Sequence, residues 1–140
     1  MKALWEAGVF ILTPVANDWL GNPNSTPPTP PKEAIGFPAK DPHIYGSGGV
    51  MPTTGAGGVI LDVGIHPKTQ RGPGLDILGP ADRVSLIYYT PSTGAHVYLN
   101  DVGTGNSWGT PHILGTAVMI QQIDPSIMPA DIMQILKDSG

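Results

Sequence analysis

Four histidines, eleven carboxylates and no cysteine make up most of the reactive inventory of this 140-residue chain. His43, His66, His96 and His112 are scattered, and no two are spaced as ligands on one helix. Three of them abut proline, in Pro42-His43, His66-Pro67 and Pro111-His112. A metal site would need them to converge with Asp62 or Asp101 in space. The spacing does not direct that, so no metal ligand is assigned. Glu6 and Glu33 are the only glutamates, and the aspartates are spread out, largely through expected loops. A glycosidase needs two carboxyls at a set separation across a sugar, whereas Asp also serves turns through local hydrogen bonds. The lack of cysteine removes thiolate nucleophiles, thiolate metal sites and disulfides together.

The glycine-rich stretches invite two further chemistries. Gly55-Ala56-Gly57-Gly58 resembles a phosphate loop, but it precedes an expected strand instead of following one and opening a helix. Gly46-Ser47-Gly48 is too short for the Gly-x-Ser-x-Gly elbow of a serine nucleophile, and no such elbow is read here. No catalytic residue and no cofactor follow, and the chain is expected not to be an enzyme. Pro27-Pro28-Thr29-Pro30-Pro31-Lys32 fits a PxxPxK peptide, yet a run this rich in proline is more simply a stiff arm. Asn24-Ser25-Thr26 is a formal glycosylation sequon. Tyr89, His96 and Trp108 could form an aromatic platform for a carbohydrate or small ligand, against the plainer reading of packing.

These residues must be positioned by short elements. Val9-Phe10-Ile11-Leu12 reads as a buried strand, with a helical turn possible over Ala3–Ala7. Val59, Leu61, Val63 and Ile65 alternate with other residues, the pattern of a half-buried strand. Arg83–Leu99 reads as a β-hairpin turning at Thr90-Pro91-Ser92-Thr93-Gly94. A short strand is expected near Leu75–Leu78. Asn100–Gly109 reads as a polar loop, and the β-branched run Ile113–Ile123 as a strand buried on both faces. Pro129, Asp131 and Lys137 mark a short C-terminal helix with its charges matched to the dipole.

Between the first strand and the periodic region the composition changes. Seven prolines fall in residues 17–45 and six glycines in 46–58. The proline-rich part reads as an extended arm, the glycine-rich part as a hinge loop. Trp19, Leu20, Ile35, Phe37, Ile44 and Tyr45 are spaced along the arm as anchors for grooves on this subunit or another.

Net charge −4 with seven Lys and Arg lacks the basic stripe that phosphates require, so no nucleic-acid partner is expected. The same shortage argues against a membrane surface, and no apolar run is long enough to span a bilayer. Glu6, Pro14, Asn17 and Asp18 interrupt any signal peptide, so cytosolic synthesis is expected. Collagen is excluded by the lack of a glycine period, and plain disorder by the 40% hydrophobic content.

The sequence thus predicts a mainly β chain. A small antiparallel β-sandwich or barrel would carry a long Pro/Gly-rich N-terminal arm and a short C-terminal helix. Residues 1–16 form the N-terminal strand, 17–58 the arm and hinge, and 59–140 the β domain. Small cysteine-free barrels with such arms look like decoration or cement subunits of bacteriophage particles. A structural assembly role follows as the expectation, with a carbohydrate- or small-ligand-binding β-sandwich as the alternative. The expected partners are further copies of the chain or a shell or tube protein, in a homo-oligomer or lattice. The expected location is a virion assembled in the host cytoplasm.

Overall fold

The computed structural model describes residues 1–17, 35–100 and 105–140. Trp19, Leu20, the sequon and the polyproline run lie outside the described residues.

The first helix, α1, spans Lys2–Glu6, and strand β1 follows at Leu12–Pro14. The expected helical turn is present, whereas the strand expected to be buried over Val9–Leu12 overlaps β1 only at Leu12, and β1 is half-buried. The longest strand, β2, is Tyr45–Thr54, in the glycine-rich stretch expected to be a hinge loop. The physical reason is close approach. A Cβ built on Gly46 would lie 1.8 Å from the carbonyl oxygen of Gly74. On Gly48 it would lie 2.6 Å from Thr69 Cγ2, and on Gly49 2.2 Å from Ala81 Cβ. Glycine in a strand interior often marks a place where other chain packs against the backbone, and here it does so three times in four residues.

Around β2 run β3 at Ile60–Ile65 and β4 at Ile77–Pro80. Strand β1 pairs parallel to β2 from Leu12↔Tyr45 to Pro14↔Ser47. Strand β4 pairs parallel to β2 from Ser47↔Ile77 to Val50↔Pro80. Strand β3 is antiparallel to β2, from Val50↔Ile65 to Thr54↔Ile60. Ser47 pairs with both β1 and β4, and Val50 with both β3 and β4. So β1 and β3 share one edge of β2 end to end, and β4 takes the other. The period-two strand is where the sequence predicts it, but it is exposed along most of its length, not half-buried. A second sheet is the two-stranded hairpin of β5, Leu86–Thr90, and β6, Ala95–Leu99, in the expected place.

Helix α2 occupies Asn106–Ile123 and α3 Pro129–Asp138. The expected strand over Ile113–Ile123 is therefore helix. Its β-branched residues give weak local preference, and tertiary packing decides. Ile113 and Ala117 are buried four residues apart on one side of α2, against Ile132 and Leu136 of α3 and against Phe10, Leu12 and Ile77. A second core cluster joins Val15, Ile35, Ala39 and Leu75. Helix α3 has Pro129 at its start, Asp131 in its first turn and Lys137 in its last, as expected.

Among the described residues helix and strand claim comparable shares, about 30% and 29%, in an α/β arrangement with two sheets and no closed barrel. This corrects the mainly β, barrel-like expectation. Two strands, β1 and β4, run parallel to β2, and an 18-residue helix packs on the sheet.

Candidate functional site

Strands β1, β2 and β4 point the same way, so their carboxyl ends collect on one side of the sheet. In open α/β sheets that side carries the ligand crevice. The chain leaving β1 passes Val15, buried against the sheet, and reaches Ala16 with φ +79°. A non-glycine residue held in this region is strained, and such strain concentrates at functional positions. The next residue is Asn17.

Helix α2 begins at the same place. Gly105 precedes it with φ +144°, and its amide donates to the carbonyl of Ala81, just past β4, at 2.8 Å. Gly109, one turn in, lies against Gly79 of β4, where a Cβ on Gly79 would be 2.8 Å from the Gly109 carbonyl oxygen. This glycine pair lets the first turn of α2 sit directly on the end of β4.

That first turn is bound by side chains. The backbone N–H of Asn106 donates to Oδ1 of Asn17 at 2.8 Å, a cap reaching across 89 positions. Such a bond satisfies one of the orphan donors at a helix start. The Asn106 side chain is fully buried. Its Nδ2 donates to the Ala16 carbonyl in a short contact, and its Oδ1 accepts from Thr69 Oγ1 at 2.7 Å. Thr69 Oγ1 in turn accepts from the Gly49 amide at 3.0 Å. Thr110 Oγ1 donates to the Asn106 carbonyl at 3.1 Å and meets Ser47 Oγ at 2.7 Å. Pro111 lies inside the helix and has no N–H for the carbonyl of Ser107, four residues back. The turn is therefore held by this lateral network more than by its own ladder.

Ser107 is the second residue of α2 and its side chain is exposed at this helix start. At that position its N–H has no carbonyl within the helix to bond. No side chain among the described residues hydrogen-bonds it. The carboxamide of Asn17 stands beside Gly105, 3.2 Å from where a Cβ would be. Because Oδ1 is committed to Asn106, Nδ2 is the donor left to face outward. A hydroxyl, a free backbone N–H and an amide donor thus gather at the positive end of a helix dipole.

All four histidines are described, and none is bonded to Ser107. The amide of His43 donates to Asp41 Oδ1 at 2.9 Å and, with the His43 Nδ1 3.0 Å from the same oxygen, holds the Asp41 carboxyl below its ordinary value. The buried His66 accepts the Lys68 amide on Nδ1 at 3.1 Å, and burial pushes its pKa down. His96 faces the ring of Tyr89 across the hairpin, centroids 5.3 Å apart. His112 bonds the carbonyl of Trp108 at 2.8 Å. Among the described residues no three His, Asp or Glu side chains group as a metal site.

The residues singled out from the sequence are dispersed. Tyr89 and His96 are cross-strand neighbours, whereas Trp108 stands next to Ser107 in α2. Of the arm anchors, Ile35 and Ile44 lie in this chain's own interior. Tyr45 packs between Trp5 and Phe10, ring centroids 5.2 and 5.3 Å away, and its hydroxyl reaches the Pro129 carbonyl. Phe37 is 80% exposed. Sequence reasoning missed Asn17 and Ser107. The signal for Ser107 is present: Gly105-Asn106-Ser107-Trp108-Gly109 has the Gly-x-Ser-x-Gly spacing. Taking Asn100–Gly109 for a loop hides it, because the motif has meaning only where it opens a helix.

Solved structures share this arrangement. The fold resembles part of the fold of solved protease structures. An S41 psychrophilic protease superposes with TM-score 0.69 at 19% identity, over 98% of this chain and 41% of its own. Sphericase does so with TM-score 0.69 at 17% identity, over 98% and 41%. A cold adapted subtilisin-like serine proteinase gives TM-score 0.64 at 17% identity, over 98% and 40%. The chain spans about two-fifths of the length of these structures. No protein-family model and no curated protein matches it.

These neighbours overturn the expectation of a virion decoration subunit, and with it the carbohydrate-binding alternative and the exclusion of an enzyme. The closed barrel on which that analogy rested is not a feature of the described fold. Residues 45–54 of the supposed arm and hinge are its central strand.

Proposed function

We propose that this chain carries the nucleophile and oxyanion half of a serine hydrolase site of the protease type, with Ser107 as nucleophile. The observation that carries the reading is the bond from the Asn106 N–H to Asn17 Oδ1. It fixes an amide donor beside an exposed serine at a helix start. In acyl transfer the serine oxygen attacks a carbonyl carbon, and negative charge grows on the carbonyl oxygen. Donors aimed at that oxygen, whether backbone N–H groups or asparagine side chains, lower the barrier. The Ser107 N–H and Asn17 Nδ2 are the two donors in this reading. The exposed ring of Trp108 beside Ser107 gives an apolar wall to the substrate. A peptide or ester carbonyl is the substrate class.

A serine needs a base to take its proton, and a histidine oriented by a carboxylate is the usual one. None of the four histidines stands at Ser107, so the reading assigns this chain half of the machinery. The test supplies the missing base from solution. A fluorophosphonate reports the nucleophile: the Oγ–P bond forms, the P–F bond breaks, fluoride leaves, and imidazole in the buffer takes the hydroxyl proton. Imidazole is expected to accelerate labelling of the chain at Ser107, mapped by peptide mass, and to leave Ser107→Ala unlabelled. Equal labelling of Ser107→Ala, or modification spread over other hydroxyls, would overturn the assignment.

A further inference from the structure

Among the described residues the buried polar side chains are Ser47, His66, Thr69, Gln70 and Asn106. They gather where the turn after β3 meets the chain just past β1, the middle of β2 and the first turn of α2. No buried side-chain N or O atom among the described residues lacks a partner. Four of the five side chains are uncharged at any ordinary pH. His66 is the one that titrates.

Its imidazole closes the turn. The His66 N–H donates to the Gly49 carbonyl at 2.8 Å, and the Thr69 N–H donates to the His66 carbonyl at 2.9 Å. Between them the Lys68 N–H donates to Nδ1 of His66 at 3.1 Å, so the neutral ring carries its proton on Nε2. The closed turn delivers Thr69 to two other elements. Its hydroxyl oxygen accepts from the Gly49 N–H at 3.0 Å, and its O–H donates to Oδ1 of Asn106 at 2.7 Å. The Gln70 N–H donates to the Ala16 carbonyl, which Asn106 Nδ2 also reaches. One short turn thus holds the start of α2 against β1 and β2. A fully satisfied buried network rigidifies what it joins.

A proton on Nδ1 turns the acceptor into a donor that faces the Lys68 N–H. The bond is lost, and two donors oppose each other away from water. Burial opposes the charge and holds the pKa of His66 below the ordinary 6.5. Asp82, beyond β4, favours the charged ring, and Lys68 in the turn itself opposes it. Gly48, Gly49 and Val50 of β2 and Asn106 of α2 bring no charge. Opening the turn returns the ring to water and removes the penalty, so acid favours the open form.

We infer that the turn at 66–69 is an acid-released latch on the first turn of α2. It is closed while the imidazole is neutral. It opens, with Thr69 withdrawn from Gly49 and Asn106, once the ring takes a proton. The latch acts whatever the role of Ser107.

Amide hydrogen exchange of the full chain tests it, followed residue by residue by NMR from about pH 7.5 to about pH 5 and corrected for intrinsic rates. The Gly49 and Asn106 amides are expected to lose protection below about pH 6.5, by up to about tenfold per pH unit for one proton taken up. The amides of Ile132 and Leu136 in α3 should stay at least about tenfold better protected at pH 5, because the opening is local. His66→Asn keeps an acceptor for the Lys68 N–H and takes no proton. It should hold the neutral-pH protection of Gly49 and Asn106 down to about pH 5. Thr69→Val keeps the shape but removes the hydroxyl, so both amides should be poorly protected already at about pH 7.5. The latch is ruled out if Gly49 and Asn106 keep their protection in acid, or lose it only to the level of the α3 amides, which is global unfolding. It is ruled out equally if Gly49 responds without Asn106, if His66→Asn shows the same acid response, or if Thr69→Val leaves both amides protected.

Discussion

At the residue scale, Asn17 holds two roles that can be pulled apart. Its Oδ1 caps α2 and its Nδ2 is the proposed oxyanion donor. Asn17→Asp keeps an oxygen acceptor for the Asn106 N–H and places negative charge at a helix start, which favours the fold. It removes the amide donor and repels a developing oxyanion. The thermal midpoint should therefore be kept or raised, while imidazole-assisted labelling of Ser107 falls by about 10²–10³-fold, the range for losing one such donor. A variant whose labelling is unchanged would show that Nδ2 does not face the reacting oxygen. His66 makes a different test. Burial lowers its pKa in the folded chain from the ordinary 6.5. As pH falls below that value, the unfolded chain takes up the proton first, so stability is full above it and declines until the folded value is reached. Urea midpoints measured from about pH 8 down to about pH 5 should fall through this window. His66→Asn keeps an acceptor for the Lys68 amide and should flatten the decline. An equal decline in the variant would assign it to other groups.

At the element scale, legibility from sequence depended on whether local pattern or distant packing set the element. The hairpin at 86–99 and helix α3 were legible, because turn residues and a proline at the helix start act locally. Strand β2 was not. Gly46, Gly48 and Gly49 look like loop by composition, and only the approach of Gly74, Thr69 and Ala81 explains them. Helix α2 was not legible either, since its apolar run fits a strand or a helix until α3 and β4 pack against it. The candidate site failed with it: a Gly-x-Ser-x-Gly stretch placed before a strand carries no chemistry. Asn17 had no local signal, because its partner is 89 positions away. The Gly79–Gly109 contact tests this account. Gly79→Ala puts a Cβ 2.8 Å from backbone, and should cost about 1–3 kcal/mol as other overpacked sites do. Because the shift falls on the first turn of α2, Ser107 labelling should drop as well. Gly64→Ala, with open space around it, is the control and should change neither. A Gly79→Ala chain of unaltered midpoint would show that the helix start is not tightly seated.

At the scale of the whole molecule, the apolar residues fall into two populations with opposite expected behaviour. Ile132 is fully buried between α2 and α3, and its truncation to Ala removes contacts on all sides. A loss of about 2–5 kcal/mol is the usual cost of such a change, enough to consume much of a small domain's stability. Ile123, at the end of α2, is 87% exposed, so Ile123→Ala should alter the urea midpoint by no more than about 0.5 kcal/mol equivalent. Val118 and Met119 are exposed as well and should behave alike. Chemical denaturation of the four alanine variants, read by far-ultraviolet circular dichroism, makes the comparison. If Ile123, Val118 and Met119 proved as costly as Ile132, the isolated chain would already bury that face. If they are silent, uncharged apolar side chains are kept on a helix where they contribute nothing to its own stability. That exposed apolar surface lies on the helix that carries Ser107.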